Sequence, residues 1–275
     1  MRATWLIAKS VLIEAVRRKE TYVIVLLVIG VILLTGTVRF FGFAGMSKFY
    51  REVSLRIMNL ATALAVIVLA ARQLPREFEA RTVYPLLAKP VGRATFLAGK
   101  FLGVLLAALF CYAIFILLFL GGMKYLGATL NGPLFVQAVY LQCLALSLVA
   151  STAFMLSLLF NVDAAVTVSV LLFGLGGALT SALDYIYDSL KGWGQFTVPW
   201  FGGTEISASL GGLLMRFLNY CVPQFSLFDL SGKVVHGNTW GPVEGWVIWY
   251  LTAYAAVFLV VFLGVSHHLF RRRAL

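Results

Sequence analysis

The residues of this chain best suited to recognition or chemistry lie in one stretch, 72–100, RQLPREFEARTVYPLLAKPVGRATFLAGK. It holds the densest charge of the sequence and mixes signs: Arg72, Arg76, Glu77, Glu79, Arg81, Lys89, Arg93 and Lys100 are interleaved with Leu86, Leu87, Pro90 and Val91. A loop meant only for water does not need that apolar content. A surface that docks on a partner does, with apolar contacts for affinity and charges for register. Pro90 cannot continue a helix through its own nitrogen, so a short helix should end there and the next should start near Arg93.

Elsewhere the reactive side chains do not form a catalytic set. His267 and His268 sit beside an arginine run at the end of an apolar block, and His236 has no Cys, His or carboxylate at ligand spacing. Cys111 and Cys143 fall inside apolar blocks and Cys221 in a later loop, with no CxxC or Cys/His spacing and an odd total. No GxSxG, HExxH or GxxxxGK[ST] occurs. The chain is therefore read as a non-enzyme without metal or cofactor of its own. Any ATP it depends on must be bound by another polypeptide.

The elements that position the charged stretch follow from composition. Of 275 residues 61% are apolar and 12% charged, about half the charged fraction of a soluble domain. The apolar residues come in blocks near 20 long, the length a helix needs to cross about 30 Å of hydrocarbon. The expected fold is an all-α polytopic membrane protein, one domain over 1–275, with six spans near 21–41, 53–71, 99–121, 134–159, 164–183 and 246–267. No cleavage site follows the first apolar block closely, so that block should remain as a span.

Charge placement sets orientation. Arg2, Lys9, Arg17, Arg18, Lys19, Arg72, Arg76, Arg81, Lys89, Arg93, Lys100, Arg271, Arg272 and Arg273 fall on one side of a six-span chain, which is fourteen of the 22 basic residues. That side should be the cytoplasm, with both termini in it and the chain in a bacterial inner membrane. Lys48, Arg51 and Arg56 run against the asymmetry. The formal charge of +11 is explained by lipid headgroups and orientation, and nucleic acid is not an expected partner.

Residues 2–20 read as an amphipathic surface helix, with Trp5, Ala8, Leu12, Ala15 and Val16 on one side and Ser10, Glu14, Arg17 and Arg18 on the other. In the long outer segment 184–245, Ile206, Leu210, Leu213, Leu214 and Phe217 repeat at helical spacing behind Thr204, a suitable N-cap. A short amphipathic helix is expected there, with Trp193, Trp200, Trp240 and Trp246 in an interfacial belt. The spans hold few ionisable groups, and their hydroxyls and amides, among them Asn59, Thr62, Gln137, Gln142, Ser147, Ser151, Thr152, Ser157, Thr167 and Ser169, should mostly hydrogen-bond between helices. A stand-alone secondary transporter or channel would want buried charge or broken helices at mid-membrane, and the sequence offers neither beyond a Gly174-x-Gly176-Gly177 run. A non-catalytic scaffold remains the other alternative.

The 72–100 stretch resembles the cytoplasmic signature of the ABC-2 type permease family: an acidic pair (Glu77, Glu79), Thr82, Leu86-Leu87, Pro90, Arg93 three residues later, and Gly99-Lys100 entering the next span. Arg81 stands where the family usually has Gly. The N-terminal IAKSVLIEAVRRKETY is similar to the family's elbow helix, to which Trp5, Leu12, Arg17 and Arg18 belong, and 219–237 is similar to its outer segment, with Gln224 where Asn is common. By length and outer-loop pattern the nearest branch is the one linked to maturation of multicopper enzymes, although no Met, Cys or His ladder lines a span. The resemblance implies a pair of permease copies, each docked on a separate ABC-type ATPase that holds ATP and Mg. It also implies a coupling helix within 72–99 carrying Glu77, Glu79, Arg81 and Thr82, with Pro90, Arg93 and Lys100 shaping the turn and anchoring it at the headgroups. An accessory subunit and bound membrane lipids are further expected partners, and an amphiphilic cargo for export is the expected substrate.

Overall fold

The computed structural model describes residues 2–17, 46–79, 92–190, 195–199, 205–209, 222–237 and 240–272, with isolated positions between 26 and 32. Its elements are α1 (Arg2–Arg17), α2 (Met46–Glu79), α3 (Arg93–Tyr125), α4 (Gly132–Leu159), α5 (Val162–Leu190), β1 (Gln195–Pro199), β2 (Glu205–Ser209), α6 (Ser231–Val235) and α7 (Gly245–Arg272). Among the described residues four helices are long and apolar enough to cross a membrane: Ser47–Pro75 within α2, and all of α3, α4 and α7. In α5 the apolar part is Val162–Gly176. The expected span 21–41 lies outside the described residues apart from its isolated helical positions.

The chain divides into two compact units, Met1–Val170 with Phe228–Leu275, and Leu171–Leu227. In the second unit β1 and β2 pair antiparallel, Gln195 opposite Ser209 and Pro199 opposite Glu205, and the rings of Phe173 and Phe225 lie 5.8 Å apart. This corrects the expectation of a helix starting at Ile206. The β-branched Thr197, Val198 and Ile206 suit a pleated strand, and the helical spacing of the later leucines does not bind Ile206 to them. Residues 210–221 lie outside the described residues.

In the first unit the helices are ordered by two apolar contacts at opposite ends. Leu74 at the end of α2, Phe96 and Leu97 at the start of α3, Phe154 and Leu158 at the end of α4 and Phe270 at the end of α7 form one buried cluster, with Ile7 of α1 and Leu269 packed on it. So α2, α4 and α7 run one way and α3 the other. At the far end Tyr50 stacks on Phe119 at 5.9 Å, and Phe119 on Phe135 at 5.6 Å, closing α2, α3 and α4. Gly122 makes this possible: a Cβ there would collide with the Tyr50 hydroxyl.

The span hydroxyls correct a second expectation. Thr62, Ser147, Ser151, Thr152, Ser157, Thr167 and Ser169 donate to carbonyls three or four residues back in their own helices, at 2.6–2.9 Å. A carbonyl one turn back is always within reach, so no neighbouring helix needs to supply an acceptor. Gln137 does bond across elements. Its Nε2 donates to Val243 O at 2.9 Å and its Oε1 accepts from Val243 N at 2.8 Å, and Tyr140 and Thr252 link α4 to α7 by their hydroxyls at 3.1 Å. Gln137→Leu should leave both Val243 groups unpaired and cost about 1–3 kcal/mol. Its check is a lowered unfolding midpoint in detergent, against Gln142→Leu measured in parallel.

A candidate coupling end

The charged stretch is anchored at the end where α1, α2, α3, α4 and α7 meet. α2 has 34 residues, about 51 Å at the helical rise, which exceeds the hydrocarbon thickness. Glu77 and Glu79 occupy its last turn, beyond the apolar Ser47–Pro75 segment. Pro75 lies inside the helix just before them. It removes one backbone hydrogen bond and weakens the helix at that point. Gln73, two residues earlier, is only 2% exposed, and its Nε2 has no hydrogen-bond partner.

α3 restarts the described chain at Gly92 in extended conformation. Arg93 then donates from Nη1 to the carbonyl of Arg271 at 3.0 Å, which ties the first residue of α3 to the last turn of α7. The rings of Phe96 and Phe270 stack at 5.9 Å directly behind that bond. Lys100 was expected at the headgroups. It is instead 5% exposed, with its ammonium 5.8 Å from the Phe96 ring centre, so its stem and charge serve the packing of this end.

Gly99 and Gly103, four residues apart on one face of α3, receive α1. A Cβ on Gly99 would lie 2.9 Å from Ile7 Cβ and 3.1 Å from Thr4 O. One on Gly103 would lie 2.5 Å from Val11 Cβ and 2.9 Å from Ala8 O. This is small-residue packing of two helices at close range, and α1 advances alongside α3 over these turns. The residues α1 buries are Ala8, Val11 and Ala15. Trp5, expected on that face, is 62% exposed. Its ring is too large for a glycine-lined contact, and it borders a cleft of about 300 Å³ with Thr4, Ala8, Leu102 and Leu106. Leu12 is half-buried and Arg17 exposed in the last turn of α1.

Of the residues singled out from the sequence, the structure thus sets Gly99 against α1, Arg93 against the end of α7 and Lys100 over Phe96, and places Glu77 and Glu79 at the end of α2. Arg18, Arg81, Thr82, Leu86, Leu87 and Pro90 lie outside the described residues, as do the side chains of Glu77 and Glu79. Sequence reading missed Gly103, Phe96 and Phe270. The Gly-x-x-x-Gly spacing from Gly99 was the available signal for the first. Among the described residues no group of three His, Cys, Asp or Glu side chains could hold a metal ion.

A bundle of membrane-length helices that converge on one mixed-charge end defines a multi-pass helical membrane protein. The chain belongs to the ABC-2 family transporter proteins, whose family model matches residues 5–275. Membership makes it a membrane subunit of an ABC transporter and implies an ABC-type ATPase as partner. A comparison with curated proteins finds no match for the chain.

Proposed function

We propose that this subunit is the permease of an exporter that moves an amphiphilic cargo out of a bacterial inner membrane. It would work as one of two identical copies, each with its own ATPase docked on residues 72–99. In this reading six spans put both termini in the cytoplasm, and ATP and Mg are held only by the ATPase. Glu77, Glu79, Arg81 and Thr82 face the ATPase groove, with Leu86, Leu87 and Pro90 giving apolar contact.

The observation that carries the reading is the convergence at one end. The helix leaving the docking stretch is bonded to α7 through Arg93 and Arg271 and to α1 through Gly99 and Gly103, while Leu74 of the incoming helix lies in the same buried cluster. A push on the stretch therefore reaches α1, α2, α3 and α7 together, and Pro75 supplies the weak point where the end of α2 can bend. Few span residues are charged, which favours an amphiphile over a small ion. Copper or sulfur cargo has no thiol or thioether ladder to support it.

Purification in mild detergent is the test. A P-loop ATPase should be recovered in equal stoichiometry with the chain, and export from proteoliposomes should require ATP on the side bearing residues 72–99. Recovery of an active transporter without any nucleotide-hydrolysing subunit would refute the proposal.

A further inference from the structure

Three cations stand at the end of the bundle opposite the coupling end, and the function above gives them no work. Lys48 and Arg51 belong to the first turns of α2, and Lys124 to the last turn of α3, two residues beyond the glycine against which Tyr50 packs. Lys48 and Lys124 are exposed. Arg51 lies inside the apolar Ser47–Pro75 segment and is 9% exposed. Its Nη1 donates to the carbonyl of exposed Thr129 at 3.4 Å, and its Nε has no partner. Ser54, three residues on and hence on the same helix face, is 1% exposed and keeps its hydroxyl beside that of Tyr50.

No carboxylate among the described residues pairs with Arg51. The nearest in sequence, Glu52, is held by Arg56 at 3.3 Å in an exposed pair one position around the helix. A guanidinium stays protonated at any relevant pH, and a buried one without a counter-charge is strongly disfavoured unless an anion reaches it. Its planar fork suits the oxygens of a phosphate. The depth says what carries that phosphate. Phe49 and Tyr125 are exposed beside the same cations, as aromatic side chains are at headgroup level, so an acyl chain below would lie on the apolar bundle surface.

We propose that Arg51, with Lys48 and Lys124 at its rim, binds the net-anionic phosphate headgroup of an amphiphile at this end of the bundle. This accounts for Lys48 and Arg51, two of the cations placed against the charge asymmetry of the chain. It uses only the start of α2 and the end of α3 and does not depend on the ATPase partner.

The test is thermal unfolding of the full chain in a neutral maltoside detergent. Dihexanoylphosphatidic acid, dihexanoylphosphatidylcholine or inorganic phosphate is added at equal concentration. The phosphatidic acid should raise the wild-type midpoint, and the other two should not. Arg51→Met should lose that rise, while Arg56→Met keeps it. If Arg51→Met does not fold, the pair Lys48→Gln with Lys124→Gln should weaken the apparent affinity for phosphatidic acid at least about threefold, an effect that salt screens. A full response in Arg51→Met, or an unaltered affinity in the lysine pair, overturns the site. An equal response to inorganic phosphate overturns the amphiphile as carrier of the phosphate, and an equal response to phosphatidylcholine overturns the net-anionic headgroup as the ligand.

Discussion

Gly103→Val should detach α1 from α3 and abolish transport while leaving residues 72–99 chemically unchanged. A Cβ alone would meet Val11 Cβ at 2.5 Å and Ala8 O at 2.9 Å. The second of these is backbone, which cannot rotate away. Overpacking of this kind costs about 1–3 kcal/mol, and more where main chain must move. The series is graded by geometry. Gly99→Ala meets its neighbours at 2.9–3.1 Å and should lower stability less than Gly103→Ala, which in turn should fall short of Gly103→Val. Gly121, also in α3, has nothing within 4 Å of an added Cβ. Gly121→Ala should be neutral or stabilising by up to about 1 kcal/mol, from helix propensity alone. Unfolding midpoints of the four variants, with proteolysis of the N-terminal residues as a readout of α1 release, check the order. If Gly103→Val protects α1 as well as the native chain does, the packing account of the coupling end is wrong.

Glu77→Lys combined with Glu79→Lys carries the other large effect. Reversing two charges at a docking surface replaces attraction by like-charge contact, worth several kcal/mol across an interface. ATPase association should fall about a hundredfold or more, which is about 2.7 kcal/mol. Stability of the bundle should not change, because both residues lie beyond the apolar Ser47–Pro75 segment. Analytical pull-down of the ATPase against permease concentration gives the shift, and the unfolding midpoint gives the control. Full association by the double variant would move the contact elsewhere on the chain.

The helices were legible in the sequence because a lipid-facing block must be both long and apolar, and both properties are local. α3 starts at Arg93 and ends at Tyr125, and α7 ends at Arg272, beyond the expected spans where lysine and arginine stems still continue a helix, while α4 ends at Leu159 as expected. Which face of a helix finds a partner is not local. The wheel drawn through Trp5 and Ala8 was sound as a wheel, but the glycines of α3 admit only small side chains, so the buried stripe shifts to Ala8, Val11 and Ala15. The same reason hid the role of Gly99, whose place in a signature pattern said nothing of Ile7 across from it. Arg51 was counted with a loop because charge usually ends a span. α2 begins at Met46 and takes it in. The strand at Glu205–Ser209 was misread because apolar spacing of three and four residues also accommodates one β-branched residue at its edge. The candidate docking residues came from a sequence pattern alone, and of them Arg93, Gly99 and Lys100 now have contacts attached.

The central claim is that residues 72–99 receive a nucleotide-hydrolysing partner, and site-specific photo-crosslinking tests it most directly. With the crosslinker in place of Glu79, at the end of α2, the account requires capture of the ATPase subunit in intact cells. In place of Thr129, at the opposite end of the bundle, it requires none. Capture from Thr129, or from neither position in cells where transport is active, would contradict it.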